Sequence, residues 1–564
     1  MQAFGSGAMT NSINEIRDAD CILITGSNTA EAHPVISYEV IRAVKKGASL
    51  VVIDPRRVPL VDHATLYLPV HPGTDIYVFL AMMHTILREG WEDSLFISER
   101  TEGFEEFRAT LEEHTPESAS LKSGVPAEQI EAAARIYASG ERISGTSIFT
   151  DQRGHSPILY AMGITQRTNG TDLVKTLANL AMLTGQIGKP STGVNPLRGQ
   201  SNVQGACDVG CLVDVFPGYQ PVTDDNKRNE LSQAWGVDTL PGKVGLTIVE
   251  AMHAVQDGRV RATYIMGENP MMSDPNTSHV ENSLRKLDLL VVQDIFPSET
   301  ALLAHVILPA ASSLEKDGTF TNTERRVQLI TPVLPIPGQA LPDWRITSEI
   351  ASRFDRKMGN PRGSQYWTFS STSAIFEEMA KVTRIYSGIR HERLGNEGIQ
   401  WPCLSSDHQG TPILHVNKFS RGLGKFSPIL SHDPAEYPTE EYPLILTTGR
   451  VLYHYHSGTM TRRSLPLNWR EPRGYVEINI KDAIAEGIED NHAVLIKSRR
   501  GSVRTRAKIS SRVPPGTIFL AFHWREAPAN MLTQDFLLDP IAKIPEYKIS
   551  AVRLENPRKK LVKD

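Results

Sequence analysis

Short apolar runs alternate with amphipathic stretches through the first part of the chain. CILITG (21–26) is apolar, SNTAEAHP is a polar turn, VISYEVIRAVKKG carries apolar residues at helical spacing, and SLVVIDP (49–55) is apolar again. The pattern predicts strand, loop, helix and strand, a right-handed crossover in a parallel sheet. Further helical patterns fall at 74–90, 102–113 and 126–138, and DLVKTLANLAMLTG ends on Gly185, a residue suited to a helix C-terminus.

The same rhythm returns in ATYIMGENP (262–270), SHVENSLRKL and LLVVQDIFPSE (289–299). Asn28 follows Gly26 by two positions, as Asn269 follows Gly267; Asp54 comes 28 residues after its glycine and Asp294 comes 27 after its own. From each aspartate it is 15 residues to Pro69 or Pro309, through HATLYLP or HVILP. This is an internal repeat of one crossover unit. After a proline-rich connection, PVLPIPGQALPDW, and a region of weaker signals, six strand-like runs follow: YPLILTTGR, GYVEINI, AVLIKSRR, SVRTRAKIS, GTIFLAFHW and YKISAVRLE. They predict a small closed β-barrel. The fold class is α/β, two Rossmann-like parallel-sheet units related by the repeat plus a C-terminal barrel. The expected domains are 1–200 and 201–342 (dinucleotide-binding), 343–435 (connecting) and 436–564 (barrel).

Composition narrows the function. The 564 residues carry a net charge of -4 with no long basic block, which argues against nucleic acid as a partner. No apolar run approaches the ~20 residues of a membrane span, and MQAFGSGAMTNS lacks the regions of a signal peptide. Four scattered cysteines, Cys21, Cys207, Cys211 and Cys403, make neither a disulfide framework nor a metal-ligand set, and fit a cytoplasmic protein.

In open parallel sheets ligands bind at the carboxyl ends of the strands, where glycine admits phosphate and an acidic residue takes ribose hydroxyls. Gly26 with Asp54, and Gly267 with Asp294, supply those parts twice. Neither copy has G-x-G-x-x-G, which argues against a nicotinamide or flavin. The repeat therefore predicts two similar nucleotides. Between the copies, GVNPLRGQSNVQGACDVG (193–210) packs four glycines around Arg198 and the amides Asn195, Gln200, Asn202 and Gln204, with no hydrophobic period to make it helix or half-buried strand. It reads either as a surface turn with a solvated arginine or as a nest for a heterocycle rich in donors and acceptors, such as a pterin, with Arg198 left to hold a small oxyanion.

That loop, together with TEGFEEFR, LTGQIGKPSTG, YIMGENP and PEYK, resembles the catalytic alpha subunit of formate dehydrogenase, within the molybdopterin oxidoreductases, along essentially the whole chain. The resemblance implies two molybdopterin guanine dinucleotides around one molybdenum or tungsten atom, a double-psi barrel, and formate as substrate. Arg198 would orient the formate carboxylate, while Gly199, Gln200, Met162, Gly163 and Gln166 lie against a pterin. Gly26, Asn28, Asp54 and Arg56, with Gly73 and Asp75, would serve one guanine dinucleotide; Gly267, Asn269, Ser273, Gln293, Asp294 and Asp343 would serve the other. Arg450, His454, His456, His523, Asn530, Tyr547 and Lys548 would close over the pterins. On the residues alone, His454 and His456 alternate as on a strand and could equally be interior and exterior barrel positions.

The formate C–H hydrogen would pass, as hydride or as proton and two electrons, to the metal centre and its sulfur ligands. Electrons would leave through an iron-sulfur cluster to a partner, either NAD-linked iron-sulfur and flavin subunits or ferredoxin. The family's four-cysteine iron-sulfur domain and its selenocysteine or cysteine metal ligand are expected upstream of Met1, because FGSGAMTNSINEI resembles the segment just after that ligand. A UGA codon read as a stop would give such a start, and the isolated chain is then expected to be inactive. ISGTSIFTDQRGHS (143–156) looks longer than the family's corresponding segment. Two rival readings are a non-catalytic cofactor-binding fragment and a related oxidoreductase acting on another substrate such as nitrate.

Overall fold

The computed structural model describes residues 1–140, 142, 154–359, 366–430 and 433–557. Most of the 143–156 segment therefore lies outside the described residues. The chain divides into two compact units: the first is built from Met1–Leu197, Met272–Ser278 and Ile413–Asp564, the second from Arg198–Met271 and His279–Pro412.

The first unit contains a five-stranded parallel sheet. Its strands are β1 (Cys21–Thr25), β2 (Ser49–Ile53), β3 (Leu66–Leu68), β4 (Ile158–Tyr160) and β5 (Val194–Pro196), in the order β3-β2-β1-β4-β5. Every residue of β1 and β2 is buried. Alternate side chains feed two cores, as the two-residue period of a strand requires. Ile22, Ile24, Leu50 and Val52 pack with Ile36, Val40 and Ala43 of the helix Pro34–Lys45, whereas Cys21, Leu23, Val51 and Ile53 join the core containing the helices Asp75–Arg88 and Gly170–Leu183. That last helix ends two residues before Gly185, which takes φ +65°.

In the second unit, β6 (Ala262–Met266), β7 (Leu289–Asp294) and β8 (Val306–Pro309) form a parallel sheet in the order β8-β7-β6, with the connectivity of β1 to β3. The repeat read from the spacing is a repeat of structure. Here Ile265, Leu290 and Val292 are buried beside Val280 and Leu284, while Tyr264 and Met266 are exposed. An antiparallel set follows, β9 (Gly318–Thr321), β10 (Arg326–Ile330) and β11 (Ile399–Gln400).

The six expected C-terminal runs are the six strands of a closed barrel in the first unit: β12 (Leu444–Gly449), β13 (Tyr475–Ile478), β14 (Ala493–Lys497), β15 (Ser502–Ile509), β16 (Thr517–Ala521) and β17 (Ser550–Glu555). They close in the order β12-β16-β13-β15-β14-β17. Leu446, Val476, Ile478, Val494, Ile496, Ile518 and Val552 fill its core. Closure leaves no unpaired edge.

The 193–210 segment departs from the expectation of irregular backbone. Val194–Pro196 pairs with β4, and Val203–Asp208 is helical. Neither element has an amphipathic period to betray it; the strand takes distant partners, Val194 bonding Thr10 in both directions, whereas the helix closes its bonds locally, as from Ala206 to Asn202.

Candidate functional site

In the first unit the predicted residues gather where β1 and β2 end and where the barrel's long loops begin. Gly26 leaves β1 at φ +53°, and a Cβ there would stand 2.8 Å from the backbone of Gly163, whose N–H donates to the Gly26 carbonyl at 2.9 Å. Only glycine permits two chains so close. Both polar atoms of the Asn28 amide and the Thr25 hydroxyl are buried without a hydrogen-bond partner among the described residues. Buried polar atoms left so are costly unless a ligand completes them. Asp54 accepts from the Arg56 N–H at 2.9 Å, and burial pushes its carboxyl up to about 6.

The Arg56 guanidinium is committed elsewhere. Its Nε and Nη2 donate to Glu477 of β13, both at 2.9 Å, and it lies 3.9 Å from the Phe519 ring centroid. Glu477 is fully buried, so this pair holds the β2 loop to the barrel. Gly73, at φ +94°, is a packing glycine whose missing Cβ makes room for Pro434 and Ile549. Asp75 is buried, takes Arg167 on one oxygen at 2.6 Å and leaves the other without a hydrogen bond among the described residues. Met162 is exposed, and Gln166, at the end of the turn Met162–Thr165, accepts from the Tyr547 N–H at 3.2 Å.

The barrel loops supply cations and neutral imidazoles. Lys548 donates to the Thr448 carbonyl at 2.8 Å; burial and the neighbouring Arg450 and Arg167 push its ammonium down to about 7. Arg450 lies 6.0 Å from the Tyr455 and Phe522 ring centroids, makes no ion pair among the described residues, and is likewise lowered by burial. Cations grouped this way call for an anionic ligand.

Residues 451–460 are a looped connection rather than a strand, which overturns the reading of His454 and His456 as alternating barrel positions: β12 stops at Gly449, where pairing with β16 ends. His454 bonds the Glu471 carbonyl through Nε2 at 2.6 Å. His523 accepts from the Val451 N–H through Nε2 at 3.0 Å, so Nδ1 carries the hydrogen given to the His456 carbonyl. Burial lowers His456 to about 4 and His523 to about 3, so both are neutral at pH 7. His456 sits at φ +46°, a conformation side-chain-bearing residues rarely adopt outside sites that require it. Asn530 is buried and donates to the Met272 and Ser273 carbonyls at 2.8 and 3.0 Å, and the Ser273 hydroxyl donates to Asp274.

In the second unit, Gly267 repeats the turn at φ +62°, but no atom of the described residues lies within 4 Å of its missing Cβ. Asn269 is fully engaged: Nδ2 donates to Glu299 at 2.8 Å, and Oδ1 accepts from the Thr300 N–H and hydroxyl. Gln293 is buried between Tyr264 and Asp343, donating to the latter at 2.7 Å, and Lys316 pairs with the same carboxylate. Asp294 caps the Ile295 N–H at 2.7 Å. Arg198, Gly199 and Gln200 are half-buried, with the Arg198 N–H donating to Thr323 Oγ1 at 3.0 Å.

Sequence reasoning passed over Thr25, Asp208 and the stretch Asp274–Thr277. Asn276 donates to Asp535 at 3.1 Å, and the Thr277 hydroxyl is buried without a hydrogen-bond partner among the described residues. The serine, aspartate, asparagine and threonine of SDPNT, which begins two residues after YIMGENP, were the available signal. The four cysteines form no disulfide among the described residues, with Cys21 and Cys403 buried.

The unpartnered Asn28 and Thr25 atoms, the Gly26–Gly163 approach and the grouped cations fit a bulky, polar, phosphate-bearing cofactor. Comparison with known proteins agrees. The Molybdopterin oxidoreductase family matches residues 2–353, and the Molydopterin dinucleotide binding domain matches 444–551. F420-dependent formate dehydrogenase 1 subunit alpha of Methanococcus maripaludis is 49% identical over 98% of this chain and 79% of its own length. Formate dehydrogenase H of Escherichia coli is 40% identical over 98% of this chain and 75% of its own. Among solved structures, acetylene hydratase from Pelobacter acetylenicus shares the fold, with a TM-score of 0.73 at 20% identity, covering 98% of this chain and 80% of that one.

Proposed function

The chain belongs to the molybdopterin oxidoreductases, and we propose that it is the catalytic part of a formate dehydrogenase, holding two molybdopterin guanine dinucleotides with molybdenum or tungsten and working in the cytoplasm. The observation that carries the reading is Arg198, fixed by its own backbone in the amide-rich loop, in a chain with formate dehydrogenase relatives at 49% identity.

Asn28, Thr25 and the Gly26 turn would hold one nucleotide, and Asp274, Asn276 and Thr277 the other. Arg450 and Lys548 would offset phosphate charge, and an anion beside Lys548 would raise its ammonium again. When bound, the molybdopterin centre supplies the two-electron acceptor for the formate C–H bond. Arg198 would take both formate oxygens in a bidentate pair, fix the direction of the C–H bond and neutralise the carboxylate while CO2, one proton and two electrons leave. His456, neutral at pH 7, can receive a proton on a ring nitrogen but gives it up readily. Electrons would pass to a further subunit or carrier, with F420 joining NAD and ferredoxin as candidates because the archaeal relatives are named for it.

The test is Arg198→Lys in the cofactor-loaded subunit. A lysine cannot reproduce the planar fork, so kcat/KM for formate falls about a hundredfold while pterin content holds. Unchanged kcat/KM would sink the assignment. Nitrate is also a planar anion, and the reading requires that formate win when the two are offered together.

A further inference from the structure

Asp208, fully buried at the end of the helix Val203–Asp208, gathers four donors on one carboxylate. Oδ1 accepts from Gln204 Nε2 at 2.8 Å and the Tyr219 hydroxyl at 2.7 Å. Oδ2 accepts from the Tyr386 hydroxyl at 2.6 Å and the Trp401 indole N–H at 2.7 Å. Each oxygen thus has both acceptor sites filled, and no site is left for a proton. Burial pushes this carboxyl up, and the four donors pull against it; its charge, added to burial, in turn raises the Tyr219 and Tyr386 hydroxyls.

The donors arrive from separate stretches of the second unit. Gln204 lies one turn back, Tyr219 is in the turn between Phe216 and Gln220 at φ +59°, Tyr386 ends the short helix Arg384–Tyr386, and Trp401 follows β11. An aromatic residue in left-handed backbone is uncommon and persists only where surrounding structure demands it. The Tyr386 hydroxyl also hydrogen-bonds Thr321 Oγ1 at 2.9 Å.

Thr321 leads to the other end of the loop. Its N–H donates to Asn202 Oδ1 at 2.8 Å, and two residues on, Thr323 accepts the Arg198 N–H. The hairpin tip carrying Thr323 is set by Arg325, fully buried at φ +70°, which donates to the Trp401, Thr411 and Pro412 carbonyls. Residues 198–208 are therefore pinned at the start by Thr323, in the middle by Thr321 and at the end by Asp208, and Tyr386 joins the last two pins.

We propose that Asp208 is a positioning residue for Arg198: its carboxylate holds the loop in the one arrangement that aims the guanidinium, without itself touching substrate. The inference rests on the formate reading above. A side chain this saturated is more than the packing of a six-residue helix requires, and two of its ties, Gln204 directly and Tyr386 through Thr321 and Asn202, lead back to the segment bearing the arginine.

The experiment is a double-mutant cycle in the cofactor-loaded enzyme. Asp208→Asn removes the charge and puts an N–H2 where an oxygen accepted from two donors, and formate kcat/KM falls about thirtyfold, mainly through KM, with pterin content unchanged. In an Arg198→Lys background the same change costs less than about threefold, because the geometry it protects is already gone. Formate binding without an electron acceptor, followed as thermal stabilisation, weakens in parallel and needs no turnover. Equal losses in both backgrounds would overturn the proposal, since Asp208 would then act through the fold at large. A silent Arg198→Lys would remove the formate reading and this inference together, a result distinct from the first. If Asp208→Asn does not fold, Tyr219→Phe removes one donor and keeps the carboxylate. It raises formate KM about threefold and does nothing in the Arg198→Lys background; an unchanged KM would overturn the proposal.

Discussion

Gly26 and Gly267 occupy the same turn in two copies of one crossover unit, at φ +53° and +62°, but only Gly26 is pressed against another backbone. The asparagine two residues on differs in the opposite sense. The Asn28 amide has no hydrogen-bond partner among the described residues, whereas Asn269 spends its amide on Glu299 and Thr300. The sheets differ too: β1 is buried along its whole length, while β6 leaves Tyr264 and Met266 exposed. Local sequence repeats the backbone turn, and tertiary packing decides which side chains remain available for a ligand. The first copy fixes its turn with backbone and keeps its amide; the second uses the amide to build the turn.

The strongest way to break this contrast is alanine at the two glycines. Gly26→Ala meets both left-handed strain and the Gly163 backbone, and unfolding free energy falls by about 3 kcal/mol. Gly267→Ala meets strain alone and loses about 1 kcal/mol. Urea unfolding measures both, and equal losses would erase the distinction.

A smaller effect is expected from Asp54. Its carboxyl, raised to about 6 from an unfolded value of about 4, keeps its proton longer in the folded chain. Stability therefore falls as pH rises through that window, and the cost is complete above it. Asp54→Asn removes the slope and stabilises the cofactor-stripped protein at pH 7 by about 2 kcal/mol. A wild-type slope in the variant would place the titration on another group.

The finest test concerns the amides. Asn269→Ala leaves Glu299 and Thr300 without their partner and costs about 1.5 kcal/mol. Asn28→Ala changes stability by less than about 0.5 kcal/mol but lowers the pterin content of the purified protein. Thermal unfolding with cofactor analysis separates them, and an Asn28 variant with full pterin would end its role as a ligand.

Much of this was legible in the chain. β12, β14 and β15 of the barrel alternate with a period of two, and the crossover units announce themselves by spacing, because both depend on neighbouring residues. Arg56 shows where such reading stops: it follows Asp54 as a ligand arginine would, yet its partner Glu477 lies 421 residues away. The four donors around Asp208 span Gln204 to Trp401 and follow no period. The strained backbone of His456 and Tyr219 likewise comes from contacts that no local propensity encodes.

The first unit breaks off at Leu197 and resumes for good only at Ile413, with a brief return at Met272–Ser278. A ribosome therefore finishes the second unit's sequence before it has released the barrel that β2's loop must grip. The early sheet waits, with Arg56 as yet unmatched, while more than two hundred residues are added. Closing so long a loop carries little extra entropy, since the cost grows only logarithmically, but it takes time, and during that time the core beneath the nascent sheet lacks Phe419, Phe426 and Ile429. Protection of that intermediate, rather than the stability of the finished protein, is where a cell making this chain would have to invest.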